Sequence, residues 1–415
     1  MTALSTHGSL IPSPRPAPRV GDSTEAARSV AVTFVSAHAE IGGGEVYLES
    51  LLQALDPGWV TSIVLLEEGP LVERLRGGGF HVKVVESPGR RGVLTGAWGL
   101  RRELRRNRSQ VVHANGFKAA AAAALATAGT RLPVVWAKID SARDGKLARA
   151  VALGCDQIVG ISESVLETFG PRIRRRTRVV HPGVPAIPID RTAGRRLVRT
   201  ILDVDDEAQV VVLSGRICPP KGQLDLIEIA PAMLKRHPRA RLALLGAEDT
   251  SYAGFQALLK RRAGELGVEH AVSFLGHRSE AITSVADAVR FVSGCDLLVA
   301  PSQTDQTSGW REGFGLAPVE ALTVGTPVVA YRHGSLPEVL GDCALLVPEG
   351  DRHELAHAIT RVLSDPDLSA RMAACGRARS ARYSMPSWVT QMKQVYRESA
   401  RSERERPHPG EAPAG

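Results

Sequence analysis

Two doubly wound α/β domains facing one another across a cleft are predicted by three observations. Short apolar runs alternate with helical periodicities along nearly the whole chain, the pattern of parallel sheets covered by helices. The alternation breaks once, at His181-Pro182-Gly183-Val184-Pro185, and then begins again. The length, 415 residues, suits two or three domains of roughly 100–200 residues each.

The elements follow in order. Residues 1–28 carry Pro12, Pro14, Pro16 and Pro18 among Ser, Gly and Arg, which predicts a disordered tail. Residues 29–183 form the first domain. Ser29–Val35 reads as a buried strand, Ser36–Gly44 as a glycine-rich loop and Glu45–Leu55 as a helix, the opening of a doubly wound sheet. Strands at Val60–Leu66, His81–Val85, Gln110–Ala114, Pro133–Ala137, Gln157–Gly160 and Arg178–His181 then alternate with helices at Pro70–Arg76, Leu94–Asn107, Phe117–Ala128, Lys146–Leu153 and Ser162–Phe169, the last capped by Ser162. The proline-bearing stretch 184–208 reads as a hinge. Residues 209–385 form a second series, with strands at Val210–Gly215, Arg241–Gly246, Val272–Leu275, Leu297–Ala300 and Pro327–Tyr331. Its helices are Gln223–Lys235, Phe255–Leu266, Ala281–Val292, one opened by Gly313-Phe314-Gly315, and Arg352–Leu363. A last helix within residues 386–400 is expected to pack back toward the first domain, and residues 401–415 read as a second disordered tail.

Composition narrows the function. The hydrophobic fraction is 43%, enough for two cores, and aromatics are 4%, too few for base-stacking surfaces. Net charge is +8, carried by arginine far more than lysine. Without a dominant block of like charge, a compact anionic ligand is a better partner than nucleic acid. Five scattered cysteines without a CxxC pair suggest reduced thiols in a cytoplasmic protein. No apolar run is long enough for a membrane span, and no secretory signal is read at the N-terminus.

Ligands of doubly wound sheets bind at the carboxyl ends of the strands, so the loops that follow strands are the informative ones. The first, Ser36–Glu45, places Gly42, Gly43 and Gly44 before a helix, where backbone N–H groups hold phosphate; it departs from GxGxxG, and a flexible turn explains it equally well. The second, Ser214–Gly222, sets Arg216 and Lys221 on either side of a proline turn, poised to converge on one anion or to stand as solvated cations. The third, Ser308–Glu320, brackets Gly313-Phe314-Gly315 and Pro318 with Glu312 and Glu320. It reads as a loop opening a helix, with an anion site at the helix end and Glu320 in the first turn. A glycosidase-like acid and base pair is the competing explanation of the two carboxylates.

Taken together these motifs resemble the retaining glycosyltransferases of family four, which carry paired glutamates eight apart and have the GT-B fold, two Rossmann-like domains. SGRICPPKG, Phe274-Leu275-Gly276, Ala300-Pro301-Ser302, Glu312 with Glu320, TPVVA and Gly334…Pro337-Glu338 occur in the family's order. In the first half the resemblance rests on GGGE and on Val111-Val112-His113-Ala114-Asn115-Gly116. It implies a nucleotide-diphosphate sugar as donor. Arg216 and Lys221 then hold the diphosphate, Glu320 the ribose and Glu312 the sugar hydroxyls. Amides of Gly313, Phe314, Gly315 and Leu316 complete the site, and Gly43 and Gly44 approach from the first domain. It also implies retention by front-face attack, with the leaving phosphate oxygen taking the acceptor's proton. No DxD pattern is placed to hold a metal, so metal-independent transfer without a cofactor is expected.

The chain departs from the family on the acceptor side. The loop after Pro133–Ala137 lacks the histidine common there, which leaves Lys138 and Asp140 as candidates, and His113 stands with Asn115 where relatives show HxH. The acceptor is expected to be a small molecule such as an aminocyclitol, in secondary metabolism, or a cell-envelope glycolipid. Arginines at Arg101, Arg102, Arg105, Arg106 and Arg108 read as a solvated face or as a weak peripheral membrane contact. A sugar phosphorylase or nucleotide-sugar epimerase on the same fold is the alternative enzyme, and a nucleic-acid-binding protein the non-enzymatic one.

Overall fold

The computed structural model describes residues 29–40, 42–87, 92–141, 145–188, 190–276 and 284–404. The two expected tails, the start of the helix placed at Ala281–Val292 and part of the loop after residue 141 lie outside or partly outside these residues. The first sheet has seven parallel strands in the order β3-β2-β1-β4-β5-β6-β7. They are β1 (Val32–Ser36), β2 (Val60–Leu65), β3 (Val82–Val84), β4 (Val111–Asn115), β5 (Val134–Lys138), β6 (Gln157–Gly160) and β7 (Thr177–Val179). Its helices are α1 (Gly43–Ala54), α2 (Pro70–Gly77), α3 (Gly92–Arg106), α4 (Phe117–Thr127), α5 (Lys146–Leu153) and the single turn α6 (Pro171–Arg174). Every residue of β1, β4 and β5 is buried, as expected of strands covered by helices on both faces.

The second unit begins with α7 (Arg191–Leu202), then β8 (Gln209–Ser214), α8 (Gln223–Arg236), β9 (Ala240–Leu245), α9 (Phe255–Glu265), β10 (Val272–Gly276), α10 (Val285–Gly294) and β11 (Leu297–Ala300). It continues with α11 (Leu316–Val324), β12 (Val328–Tyr331), α12 (Leu336–Leu340), β13 (Leu345–Val347), α13 (Arg352–Ser364), α14 (Pro366–Ser380) and α15 (Met385–Arg404). Its six strands are ordered β10-β9-β8-β11-β12-β13 and are all parallel. Helix α15 returns to the first sheet. Its Trp388 ring lies 4.9 Å from that of Tyr47 on α1, and Tyr396 Oη is 2.9 Å from His113 Nδ1 on β4.

Several expectations need correction. Ser162–Phe169 is not a helix but a 3-10 turn, Ser164–Leu166; Ser162 Oγ accepts from the Val165 amide at 3.4 Å while donating to the Gly313 carbonyl at 2.7 Å. The stretch 184–208, read as a hinge, also carries a helix that was not foreseen: Asp190 caps α7, whose Gly194 backbone meets Gly294 of α10 so closely that a Cβ on Gly294 would fall 2.2 Å from it. Strand β13 and helices α12 and α14 were not foreseen, being short or weakly patterned. The cysteines are not all reduced. Cys343 and Cys375 form a disulfide with Cα atoms 5.2 Å apart, while Cys155, Cys218 and Cys295 are buried free thiols. A separation of 32 residues leaves no spacing signature in sequence.

Denatured protein without reductant is therefore expected to titrate three thiols, rising to five after reduction. Finding five beforehand contradicts the disulfide. Cys375→Ser should lower stability by about 2–4 kcal/mol in chemical unfolding.

Candidate functional site

The site forms where loops at strand carboxyl ends meet. Pro219 and Pro220 fix a 3-10 turn after β8, carrying Lys221 back toward the strand ends. Arg216 and Lys221 line one open cavity of about 210 Å³, with Cys218, Asp249, Tyr252 and Trp310 among its other walls. The expected convergence of the two cations is thus present. Arg216 is half exposed and pairs with Asp249. Lys221 Nζ lies 2.6 Å from Glu312 Oε2 and 4.9 Å from the centre of the Trp310 ring.

Glu312 is held from three sides. Ser302 Oγ donates to Oε2 at 2.9 Å, Lys221 donates to the same oxygen, and the amide of Ser335 donates to the Glu312 carbonyl at 3.0 Å. Burial pushes its carboxyl up, but Lys221 and Ser302 outweigh that and hold it below the usual range. Gly334 has φ +53°, and a side chain there would meet the Glu312 carbonyl oxygen at 2.3 Å. The loop after β12 thus fixes the backbone of Glu312 by close approach.

The segment beyond Glu312 is docked on the first domain. Ser162 Oγ donates to Gly313 O, the Arg311 amide donates to Ser141 Oγ at 3.1 Å, and Arg311 pairs with Glu167 at 2.9 Å. Phe314 is buried against His181 and Tyr383, with ring centres 6.0 and 5.4 Å away. His181 in turn bonds Glu338 at 2.8 Å, and Glu338 also accepts from the Glu163 amide. Gly315, with φ +80°, opens α11, and the amides of Phe314, Gly315 and Leu316 donate to nothing among the described residues. A helix end with free N–H groups favours negative charge.

The glycine loop of the first domain reaches the same place. Gly43 is exposed at the start of α1. A Cβ on Gly44 would lie 2.3 Å from Ile139 Cδ1, and one on Gly313 would lie 2.6 Å from Ile139 O. Ile139 therefore separates the two glycine loops by one residue's thickness. Burial raises the carboxyl of Glu45, next to Gly44, and the charges of His38 and Arg216 pull against it.

Glu320 departs from expectation. It stands on the second turn of α11, not the first, and is not among the residues lining the cavity. Its carboxyl has no partner among the described residues, and burial pushes it up to about 7. His113 is corrected from acceptor-side candidate to core residue. It is fully buried between Phe34 and Tyr396, its Nε2 has no partner, and burial drives the ring down to about 3. Lys138 is buried too, with Nζ turned onto the Asp140 carbonyl at 2.5 Å, so it does not present its charge to an acceptor; Asp140 remains half-buried in the loop beside it.

Sequence reasoning did not pick out Asp249, Tyr252, Asp305 or Trp310 as cavity walls. Tyr252 donates to Asp305 at 2.8 Å, which pushes the phenol up to about 12, and Ser308 donates to the same carboxylate. The one available signal was Trp310, a rare residue beside the glutamate loop. Among the described residues no cluster of His, Cys, Asp and Glu is arranged to hold a metal, and no helix is long and apolar enough to cross a membrane.

Two parallel-sheet domains, the second with an open cavity lined by Arg216 and Lys221, define a two-domain Rossmann-like architecture, and comparison with known proteins agrees. Two family models match most of the chain, Glycosyltransferase Family 4 over residues 41–186 and Glycosyl transferases group 1 over residues 195–379. The chain belongs to the GT-B glycosyltransferases of family four. A D-inositol 3-phosphate glycosyltransferase of Saccharomonospora viridis is 32% identical over 228 residues, 54% of this chain and 50% of that protein. A GDP-mannose-dependent monoacylated alpha-(1-6)-phosphatidylinositol monomannoside mannosyltransferase of Corynebacterium glutamicum is 28% identical over 254 residues, 59% of this chain and 62% of that protein. The matches thus span about half to three fifths of these relatives. In fold, the chain is similar to Anabaena Alr3699/HepE in complex with UDP and glucose, with TM-score 0.76 and 23% identity over 88% of this chain and 99% of that one. Sucrose-phosphate synthase from Thermosynechococcus elongatus gives 0.68 and 18% over 90% and 100%.

The raised Glu320 carboxyl makes a stability prediction. Its folded value, about 7, exceeds the ordinary carboxyl value of 4.5, so the folded state binds the proton more tightly. Ionisation therefore costs stability increasingly between these values, and fully above them. Glu320→Gln should raise the thermal midpoint at pH 8.5 by a few degrees, at about 2–4 °C per kcal/mol, and change little at pH 4.5. A lowered midpoint at pH 8.5 contradicts the assignment.

Proposed function

We propose that the protein is a retaining glycosyltransferase that moves a hexose-type sugar from a nucleotide-diphosphate donor to an acceptor hydroxyl without a metal ion. The observation that carries this reading is the cavity shared by Arg216 and Lys221, beside a helix end with free amides and the anchored Glu312. In the reaction the anomeric C–O bond breaks and its electron pair stays on the diphosphate. The acceptor oxygen bonds the anomeric carbon on the face that the phosphate leaves, and its proton passes to a phosphate oxygen. Two fixed cations and the helix amides stabilise the developing negative charge, as in an oxyanion hole. Glu312 holds sugar hydroxyls, and Glu320, in the second turn of α11, holds the ribose.

Arg216 is free to serve because its partner, Asp249, leaves about half of its side chain exposed. Lys221 is pre-oriented by Glu312, so little rotamer freedom is lost on binding. The acceptor is a polyhydroxyl compound, small or lipid-borne, within bacterial secondary metabolism or cell-envelope glycoconjugate synthesis. Relatives bearing the names of inositol phosphate and phosphatidylinositol mannoside transferases support this class. Sugar nucleotides are cytoplasmic metabolites, which supports action in that compartment.

A panel of nucleotide sugars, followed for slow hydrolysis and nucleotide release, tests the reading. Arg216→Ala should lower kcat/KM by about 10²–10³ for the accepted donor, the loss typical of one preorganised donor to a developing anion. Chelator should leave the rate unchanged. Absence of turnover with every donor, or strict metal dependence, overturns the reading; release of free nucleotide only in the presence of an acceptor separates transfer from epimerisation.

A further inference from the structure

Strand β8 lies between β9 and β11 in the second sheet, and the three run parallel. The loops that follow them therefore leave the sheet side by side, with the turn bearing Arg216 and Lys221 in the middle. All three loops line the cavity described above. One hydrogen bond joins the two outer loops. Tyr252 Oη, in the loop after β9, donates to Asp305 Oδ2, in the loop after β11, at 2.8 Å. The bond bridges the carboxyl end of β8 from flank to flank.

Each end of this bridge is held by its own loop. On one side the Asp249 carboxylate, paired with Arg216, also accepts from the Ser251 amide at 2.9 Å and so caps the short turn that presents Tyr252. On the other side Asp305 organises a closed turn. Its Oδ1 accepts from the Thr307 amide at 2.9 Å and its Oδ2 from Ser308 Oγ at 2.6 Å. Its own amide donates to the Trp310 carbonyl at 3.0 Å, and its carbonyl accepts from the Gly309 amide at 2.8 Å. Trp310 is therefore tied to Asp305 through this turn. The Trp310 ring centre lies 4.9 Å from Lys221 Nζ, a cation–π contact. The connection thus runs from the tyrosine hydroxyl through a carboxylate and an indole to the lysine ammonium.

We propose that Tyr252 is a positioning residue for the anion cavity, acting through Asp305 on Trp310 and Lys221. The identity of the anion, a diphosphate, rests on the reaction proposed above. The Lys221 ammonium has two neighbours, Glu312 Oε2 at 2.6 Å and the face of Trp310. The carboxylate takes one N–H, and the ring directs the others and keeps water from one side. Exclusion of water strengthens the pull of the ammonium on an anion. Loss of the Tyr252 hydroxyl leaves Asp305 its turn but cuts the tie to the loop after β9, which frees Trp310 to leave the lysine. Arg216 is little affected, because its partner Asp249 belongs to the loop after β9. Tyr252 and Asp305 are both partly exposed and stand outside the hydrophobic cores, where single substitutions change stability little.

Inorganic pyrophosphate, titrated calorimetrically into the full chain, is the probe. Wild-type protein is expected to bind it. Tyr252→Phe should bind it about tenfold more weakly, the loss typical of one hydrogen bond to a charged group. Trp310→Ala should weaken binding to a similar extent, and the double variant no further, because both act on one contact. Acrylamide quenching gives a second readout. It is measured in a Trp98→Phe background, which removes the most exposed indole and leaves Trp59, Trp136 and Trp388 buried. There Tyr252→Phe should increase the quenching of Trp310, and the thermal midpoint should stay at the wild-type value. Equal pyrophosphate binding by wild type and Tyr252→Phe, additive losses in the double variant, or unchanged quenching overturns this inference and leaves the proposed reaction standing. A weakened binding that comes with a lowered midpoint also overturns it, by assigning the bond to stability. Failure of the wild type to bind pyrophosphate or any nucleoside diphosphate overturns both readings.

Discussion

The partly buried ion pair of Lys221 and Glu312 is the contact on which the site depends. Removing either partner leaves the other charge poorly compensated in a place that water reaches only from the cavity side. The pair therefore locks the turn after β8 to the loop before α11, two segments 91 residues apart in sequence. Everything else at the site is arranged around that lock. Gly334 lets the loop after β12 press on the Glu312 backbone, Ser302 completes its hydrogen bonds, and Arg311 to Phe314 carry the first domain's loops against it. A lysine so held is only partly neutralised, since its other N–H groups face the Trp310 side of the cavity.

Contact between the domains depends on small residues rather than on complementary charge. Ile139 fits between Gly44 and Gly313 because neither has a Cβ. Ion pairs such as Arg311 with Glu167 lie at the exposed margin, where their worth is small. The hydrogen bonds from Ser162 and to Ser141 are the directional part, and they determine which backbone groups meet.

The alternation of apolar runs and helices was legible because buried parallel strands have little freedom to be anything but short and apolar. Arg216, Lys221 and Glu312 were legible for a related reason: charged residues beside Gly and Pro at strand ends have few uses other than binding. What was hidden is instructive. His113 stands with Asn115 where relatives show HxH, yet it lies in mid-strand with Nδ1 bonded to Tyr396, 283 residues later, and no local pattern encodes that contact. Ser162 does accept from the Val165 amide as a cap would, but the turn it caps ends at Leu166, and its hydroxyl proton goes to a carbonyl 151 residues away that no local pattern encodes. Glu320 was misplaced by one turn because α11 starts at Leu316, directly after Gly315, which leaves Glu320 at the fifth helical position. The disulfide was invisible because its cysteines come together only after α14 has packed.

Helix α15 has a consequence for how the chain is made. Trp388, Met392 and Tyr396 are buried with the first domain's residues, against α1, β1 and β4. During synthesis the ribosome releases those partners several hundred residues before the helix that covers them. Domains usually complete their folding in the order of emergence. Here the earlier domain waits with an apolar strip uncovered while the later one folds, and the last helix to emerge finishes the first core. The nascent chain is thus most in need of a chaperone over the stretch of translation that builds the second sheet.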